Sequence, residues 1–224
     1  MRKIKLDKNI VITKELIQDL IKDHVAERSR ILKMKNYYNG INEAIKNRRY
    51  EDINKPSNRL YSGYASYITD NFVGYMLGQP ISYKSDNTKL LEELNLHFLY
   101  NDEIDNNTTL APDQSICGYA YELLYTDEDS NVRFKALDTE EMIVVYENTL
   151  EEKELFAIRY ILDSENKGTV YVYTKEELRA YVIENNELGK EIEEEYQIMY
   201  LQIYLYAHTK ITDNVLAILR KFCH

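Results

Sequence analysis

The chain is 224 residues long, carries a formal net charge of −10 and is 44% hydrophobic. That length suffices for a sizeable buried core, whereas the acidic balance excludes a protein that grips duplex nucleic acid by neutralising its phosphates. It does not exclude a conduit through which nucleic acid slides without tight contacts.

Tyrosine occurs 21 times and tryptophan not at all. A ring with a polar tip suits surfaces that are half apolar and half wet, so the excess favours large subunit contacts; AT-rich coding gives the same composition equally well. Cys117 and Cys223 lie far apart and outside any paired motif, so neither a disulfide framework nor a zinc site is expected, and a reducing compartment of synthesis is the default. No apolar run reaches the ~18 residues of a bilayer span, and the basic start Met1-Arg-Lys lacks the apolar stretch of a secretory signal. No membrane association is expected.

Thr13 reads as a helix cap. Leu16, Ile17, Leu20, Ile21, Val25, Ile31 and Leu32 follow at the spacing of one helix face, which predicts a long helix ending near Asn39-Gly40. A short helix is predicted over Ile41–Asn47, then a surface loop through Pro56. The next stretch, Asn58 to Tyr83, is the one the chain is organised around. Leu60, Tyr64, Tyr67, Ile68, Phe72, Tyr75 and Met76 form a ring-rich stripe expected to be buried, with Asn58 as the cap, Gly78 as the left-handed end and Pro80 as the stop. Ile81–Lys84 alternates as a short strand does.

A helix is predicted over Asn87–Asn95 and another over Asn101–Cys117, although Pro112 fits poorly in a helix interior. From Gly118 the period drops to two. Strands are predicted at Tyr119–Tyr125, Val132–Ala136, Met142–Tyr146, Phe156–Ile161 and Thr169–Tyr173, with Leu178–Ile183 as a further pairing candidate. Asp127–Asn131 and Ser164–Gly168 are the hairpin connections. Helices first and an antiparallel meander second indicate an α+β fold, divided into a helical arm over 1–57 and an α+β domain over 58–196.

Candidate chemistry is sparse. Asp127, Asp129 and Asn131 imitate the opening of a calcium loop, but Val132 stands where that loop needs glycine and Asp138 where it needs a bidentate glutamate, so a solvated hairpin is expected. Asp138, Glu140 and Glu141 are the carboxylates best placed for magnesium, yet no second cluster accompanies them, and an exposed turn is expected. His24, His97, His208 and His224 show no metal spacing and no triad context. Gly74-x-x-x-Gly78 is a helix-packing spacing, not a phosphate loop. No residue receives a catalytic, cofactor-binding or metal-binding role, and no cofactor is expected; a metal-dependent nuclease centred on Asp138 is the weakest alternative.

The wording of four blocks resembles the N-terminal region of phage portal proteins of the SPP1 type. These are Met34–Ile41 with its Tyr-Tyr-Asn-Gly, the stretch Asn58–Tyr83, Ser115–Glu128 with Gly-Tyr-Ala-Tyr-Glu, and Phe134–Tyr146, which Ala157–Tyr160 follows. The resemblance covers Thr13 to Tyr196. It implies the peripheral wing of a non-catalytic subunit in a homo-oligomeric ring at the capsid vertex, the conduit for DNA packaging and ejection. The implied partners are terminase, capsid and head-tail connector proteins, with non-specific passage of DNA; the implied place is the virion, or the host cytoplasm for a prophage-like fragment. Stem, clip, tunnel loop and crown lie downstream in that family.

From about Gln197 the wording departs from the family, which predicts an aberrant, out-of-frame tail over 197–224 and a truncated subunit. Back-translating Thr209–His224 with one allowed codon set and reading two bases later spells a run containing Gly-Asp-Phe-Glu-Lys-Val, similar to the helix start expected there. The coding sequence is therefore expected to hold a family-like frame overlapping this tail; sequencing that finds none overturns the frameshift. A stand-alone tyrosine-rich adaptor that binds protein partners is the reading from a different class.

Overall fold

The computed structural model describes residues 3–48, 58–127, 129, 131–163, 165, 167–174, 177–184, 187–192 and 202–205. The fold is α+β. A strand β1 (Ile4–Leu6) leads into the long helix α1 (Lys14–Tyr38) and the single turn α2 (Glu43–Lys46). Helices α3 (Tyr64–Leu77), α4 (Thr88–Tyr100) and α5 (Glu103–Cys117) follow. Strands β2 (Tyr121–Thr126), β3 (Val132–Leu137), β4 (Met142–Glu147), β5 (Glu154–Leu162), β6 (Lys167–Tyr173), β7 (Leu178–Glu184), β8 (Glu187–Ile192) and β9 (Gln202–Leu205) complete it.

The strands divide between two sheets. One has six strands in the order β1-β4-β5-β6-β7-β8, an antiparallel meander to which β1 adds in parallel, with Ile4 opposite Val145. The other has three, in the order β3-β2-β9. The single meander expected from the sequence is thus split after β3, because the 3-10 turn Thr139–Glu141 separates β3 from β4 and the two strands do not pair. Strand β9 pairs antiparallel with β2, Tyr121 opposite Leu205 and Leu124 opposite Gln202.

Strand β4 is buried along its whole length, a run of apolar residues with water on neither side. Its alternate residues supply two cores. Ile143 and Val145 pack with Ile17, Leu20 and Ile21 of α1 and with Phe156, Ile158 and Tyr160 of β5. Met142, Val144 and Tyr146 pack with Cys117, Tyr119, Tyr121 and Leu137, and with Ile31 from further along α1. Helix α1, from the expected arm, therefore contributes to both cores. Its start is capped as the sequence indicates: Thr13 Oγ1 accepts from Leu16 N at 3.3 Å.

Several expectations are corrected. Helix α3 starts at Tyr64 behind Gly63, which makes no side-chain cap, so Asn58 is not its cap. Gly78 ends it in the right-handed region at φ −63, not the left-handed one. Ile81–Lys84 forms no strand. Tyr83 instead lays its ring against Phe98 at 4.6 Å between centroids and donates its hydroxyl to Glu103, so the local alternation is spent on packing against α4 and α5. Pro112 does lie inside α5. Tertiary contacts hold that helix on both sides of the proline: Leu110, Ala111 and Cys117 are buried, and Asn106 donates to Glu122 at 2.6 Å while accepting from Ala136 N at 2.6 Å. Gly118 closes α5 in the left-handed region at φ 86.

At Gly168 in β6, a Cβ would stand 1.8 Å from Ile161 O on the adjacent strand, so only glycine permits that approach of backbones. The two cores rest on volume in the same strict way. Ile31 is wholly enclosed, whereas its neighbour Leu32 is exposed. Ile31→Ala is expected to cost about 2–5 kcal/mol in urea denaturation and Leu32→Ala under about 0.5 kcal/mol; equal costs would show that α1 does not bridge the cores.

Candidate interaction surface

The sequence leaves two kinds of side chain with possible function, clustered acids and exposed rings. The acids are engaged within the fold. Lys35 of α1 lies 2.6 Å from Glu140, 3.1 Å from Asp113 of α5 and 3.8 Å from Asp138. Burial pulls the Lys35 ammonium down, but the hydrogen bonds and charges of Glu140 and Asp113 outweigh it and hold it above the ordinary lysine range. Glu141 accepts from Arg159 Nε and Nη2, each at 3.0 Å. The carboxylates nominated for magnesium thus already have protein cations, and they join α1, α5 and β5 through the 3-10 turn. No group of three or more His, Cys, Asp or Glu able to hold a metal ion occurs among the described residues.

The calcium-like turn is a hairpin. Asp127 Oδ1 accepts from Asp129 N at 3.1 Å and Asn131 N at 2.8 Å, and Asp127 N donates to Asn131 O. Its carboxylate is spent on its own backbone, the ordinary use of aspartate in a turn. Of the histidines, His97 lies in α4, and His208 and His224 fall outside the described residues. His24 is buried, its Nδ1 2.6 Å from Tyr160 OH and its ring edge-on to that tyrosine. Burial pulls the imidazole down to about 4; Glu27 opposes this and Arg28 adds to it. Cys117 is buried too, and that burial, with Asp113 nearby, pushes its thiol up to about 12, far from a reactive thiolate. Cys223 is outside the described residues.

The exposed rings are a different matter. Most of the stripe expected to be buried on α3 faces outward: Tyr64 is 71% exposed, Tyr67 65% and Tyr75 93%, with Leu60, Ile68 and Phe72 exposed beside them, and of that stripe only Met76 turns inward. The inward face is the opposite one, where Thr69 is buried and Ala65, Val73 and Met76 are half-buried. Helix α3 is apolar on both sides, so periodicity alone could not select the face. Ala65, Thr69 and Val73 on the inward side are smaller than the outward rings and let α3 lie close to α5. Tyr38 OH donates to Asp70 at 2.8 Å and fixes the helix to the end of α1.

A groove of about 590 Å³ runs between α1, α2 and β5. Val25, Leu32, Tyr37, Ile41 and Leu162 make its apolar walls, with Arg28 and Lys33 among them. Arg28 lies over the Tyr160 ring at 5.8 Å, and its Nε is buried without a hydrogen-bond partner. Sequence reading placed Val25 and Leu32 on the buried face of α1; both are exposed and line this groove.

Comparison with known proteins places this architecture. The model of the family described as "Phage portal protein, SPP1 Gp6-like" matches residues 17–212. The chain belongs to the SPP1-type phage portal protein family. It is 30% identical over 171 residues to the portal protein of Clostridium phage phiCD119, covering 70% of this chain and 38% of that relative. To the portal protein of Bacillus phage SPP1 it is 33% identical over 156 residues, covering 65% of this chain and 30% of that relative. The chain thus spans well under half the length of these portal relatives. The family match continues beyond Gln197, where the wording was expected to leave the family, and takes in β9. Among the described residues no helix is long and apolar enough to cross a membrane.

His24 gives the fold a pH signature. Its folded pKa lies below the ordinary value of 6.5, so the unfolded chain takes up the proton first as pH falls. The stability it contributes is complete above about 6.5 and drains away down to about 4. Urea midpoints at pH 7.5 and 4.5 are expected to show wild type losing roughly 2–3 kcal/mol more than His24→Gln. Equal losses would mean that His24 is not held neutral.

Proposed function

We propose that the chain is a structural subunit, in part-length form, of the portal ring at a phage capsid vertex, and that it supplies the wing-like portion. The match over residues 17–212 to the portal family carries this reading. In it the chain serves the conduit for DNA packaging and ejection and the surface on which terminase and head-tail connector dock, and it does no chemistry of its own. The net charge of −10 fits a wall past which a polyanion slides rather than one to which it sticks. The engaged state of Asp113, Glu140 and Glu141 fits a structural part.

The second reading is a protein-binding adaptor with no DNA role. Its support is the exposed tyrosine face of α3 and the 30–38% of the portal relatives that the chain spans.

Incorporation into phage heads separates these. Tagged chain expressed in a host infected by a phage with a related portal protein is expected at one vertex of purified heads, or to lower the fraction of heads filled with DNA. Absence from heads with unchanged packaging overturns the portal reading in favour of the adaptor. The 224-residue polypeptide by itself is expected to form no large closed ring in light scattering; a discrete ring species would refute the part-length assignment.

A further inference from the structure

We propose that the elbow between α4 and α5 is a latch that shuts the outer edge of β3 against strand addition, with the side-chain amides of Asn101 and Asn106 as its two catches.

Strand β3 ends the three-stranded sheet. It pairs with β2 on one side, and among the described residues no strand pairs with the other. An edge of this kind offers a row of backbone donors and acceptors to any extended segment that reaches it. Alternate residues of an antiparallel strand turn their backbone groups to opposite neighbours, and this decides which groups are on offer. Asn131 O already bonds toward β2, to Asp127 N, so Arg133, Lys135 and Leu137 face β2 as well. Val132, Phe134 and Ala136 face outward.

The outward groups are met by side chains. Asn101 donates to Val132 O at 3.0 Å and accepts from Phe134 N at 3.2 Å. One primary amide thus takes the two bonds that the backbone of an added strand would make. Asn106 accepts from Ala136 N at 2.6 Å.

Both catches are held in position from behind. Only Asn101 and Asp102 separate α4 from α5; Asp102 adopts the left-handed region at φ 50, which aspartate enters more readily than most residues. Asn101 also donates to His97 O at 2.8 Å, closing the end of α4. Arg133 of β3 reaches back to the same helix end, donating to Tyr100 O at 3.2 Å with its guanidinium 4.3 Å from the Tyr100 ring centre. Asn106 is oriented by its donation to Glu122 of β2 at 2.6 Å. Beside the latch a groove of about 310 Å³, lined by Asn101, Asp102, Asp105, Asn106, Arg133 and Lys135, leaves room along this edge. Hydrogen bonding from two amides, not apolar covering, is therefore what occupies the backbone groups of the edge.

Residue-resolved amide hydrogen exchange on the full chain tests the latch. Asn101→Ala is expected to speed exchange at Phe134 roughly fivefold to tenfold, the loss of one hydrogen bond, while Lys135, bonded to β2, keeps its wild-type rate. Asn101→Asp keeps the acceptor for Phe134 and loses the donor to Val132, so Phe134 should stay protected. Asn106→Ala should free Ala136 and spare Leu137; it also strips Glu122 of a donor, and if it unfolds, the two Asn101 variants decide the matter. With its edge open, Asn101→Ala should also form thioflavin-positive aggregate several-fold sooner than wild type at equal concentration. Exchange that rises at Phe134 and Lys135 together would mean that the strand loosens as a whole and the amide is no catch. Unchanged exchange at Phe134, or faster exchange there without earlier aggregation, would equally overturn the latch.

Discussion

Everything in this molecule is arranged about a strand that has no outside. Met142–Glu147 is buried at every position, so each face must be covered, and the two coverings become two cores joined through one backbone. Burying Ile, Val or Met contributes about 1.5–3 kcal/mol each, whereas the largely buried pairs of Lys35 with Asp113 and Glu140 set their attraction against the cost of desolvating both charges. The order of causes follows. Apolar covering decides that α1 lies where it does, and only then does Lys35 find itself among Asp113, Asp138 and Glu140. Those pairs fix the rotation and axial position of α1 against α5 and the 3-10 turn; they do not hold the fold up.

The same order explains what the sequence revealed and what it hid. Strands β4 to β7 were legible because an apolar run or a clean alternation is itself the covering requirement written out: Val170 and Val172 are buried, with Tyr171 half-buried between them. Helix α1 was legible from its Thr13 cap and its periodicity. Strand β8 was not, since Glu187, Gly189, Lys190 and Glu191 are exposed and its pairing is supplied by backbone on a sheet edge, where charge discourages further strands from joining. Strand β1, at three residues, is too short to show any period. Strand β9 pairs with β2, which lies some eighty positions earlier, and no local pattern carries that information.

The acids and the rings failed as signals for opposite reasons. Asp138, Glu140 and Glu141 looked like a loose cluster because the cations that engage them, Lys35 and Arg159, are remote in sequence and meet them only once β4 is covered. On α3 the heavier apolar stripe was expected inside on the assumption that one chain must satisfy all its own apolar faces. Thr69 is the buried residue of that helix, and the small stripe around it is what α5 can accept closely. An aromatic stripe turned outward is contradictory for a solitary domain and consistent for a part that meets a neighbour.

Tyrosine is the residue that lets one chain live with both situations. Tyr119, just before β2, and Tyr121, Tyr146 and Tyr160 in the strands are enclosed, and burial raises the pKa of each hydroxyl. Tyr119 donates a hydrogen bond to Glu27 at 2.8 Å and Tyr160 meets His24 at 2.6 Å, so these two polar tips tie helix to sheet, whereas the Tyr146 hydroxyl is buried without a hydrogen-bond partner. On α3 the same side chain stands in water, where its hydroxyl stays solvated and lowers the cost of an open apolar face. Phenylalanine or leucine at Tyr64, Tyr67 and Tyr75 would bury as much area against a partner, but would leave the unpartnered chain far more prone to indiscriminate association. Tyrosine on an open apolar face limits that association, and the tyrosine excess follows from this constraint as directly as from any bias in coding.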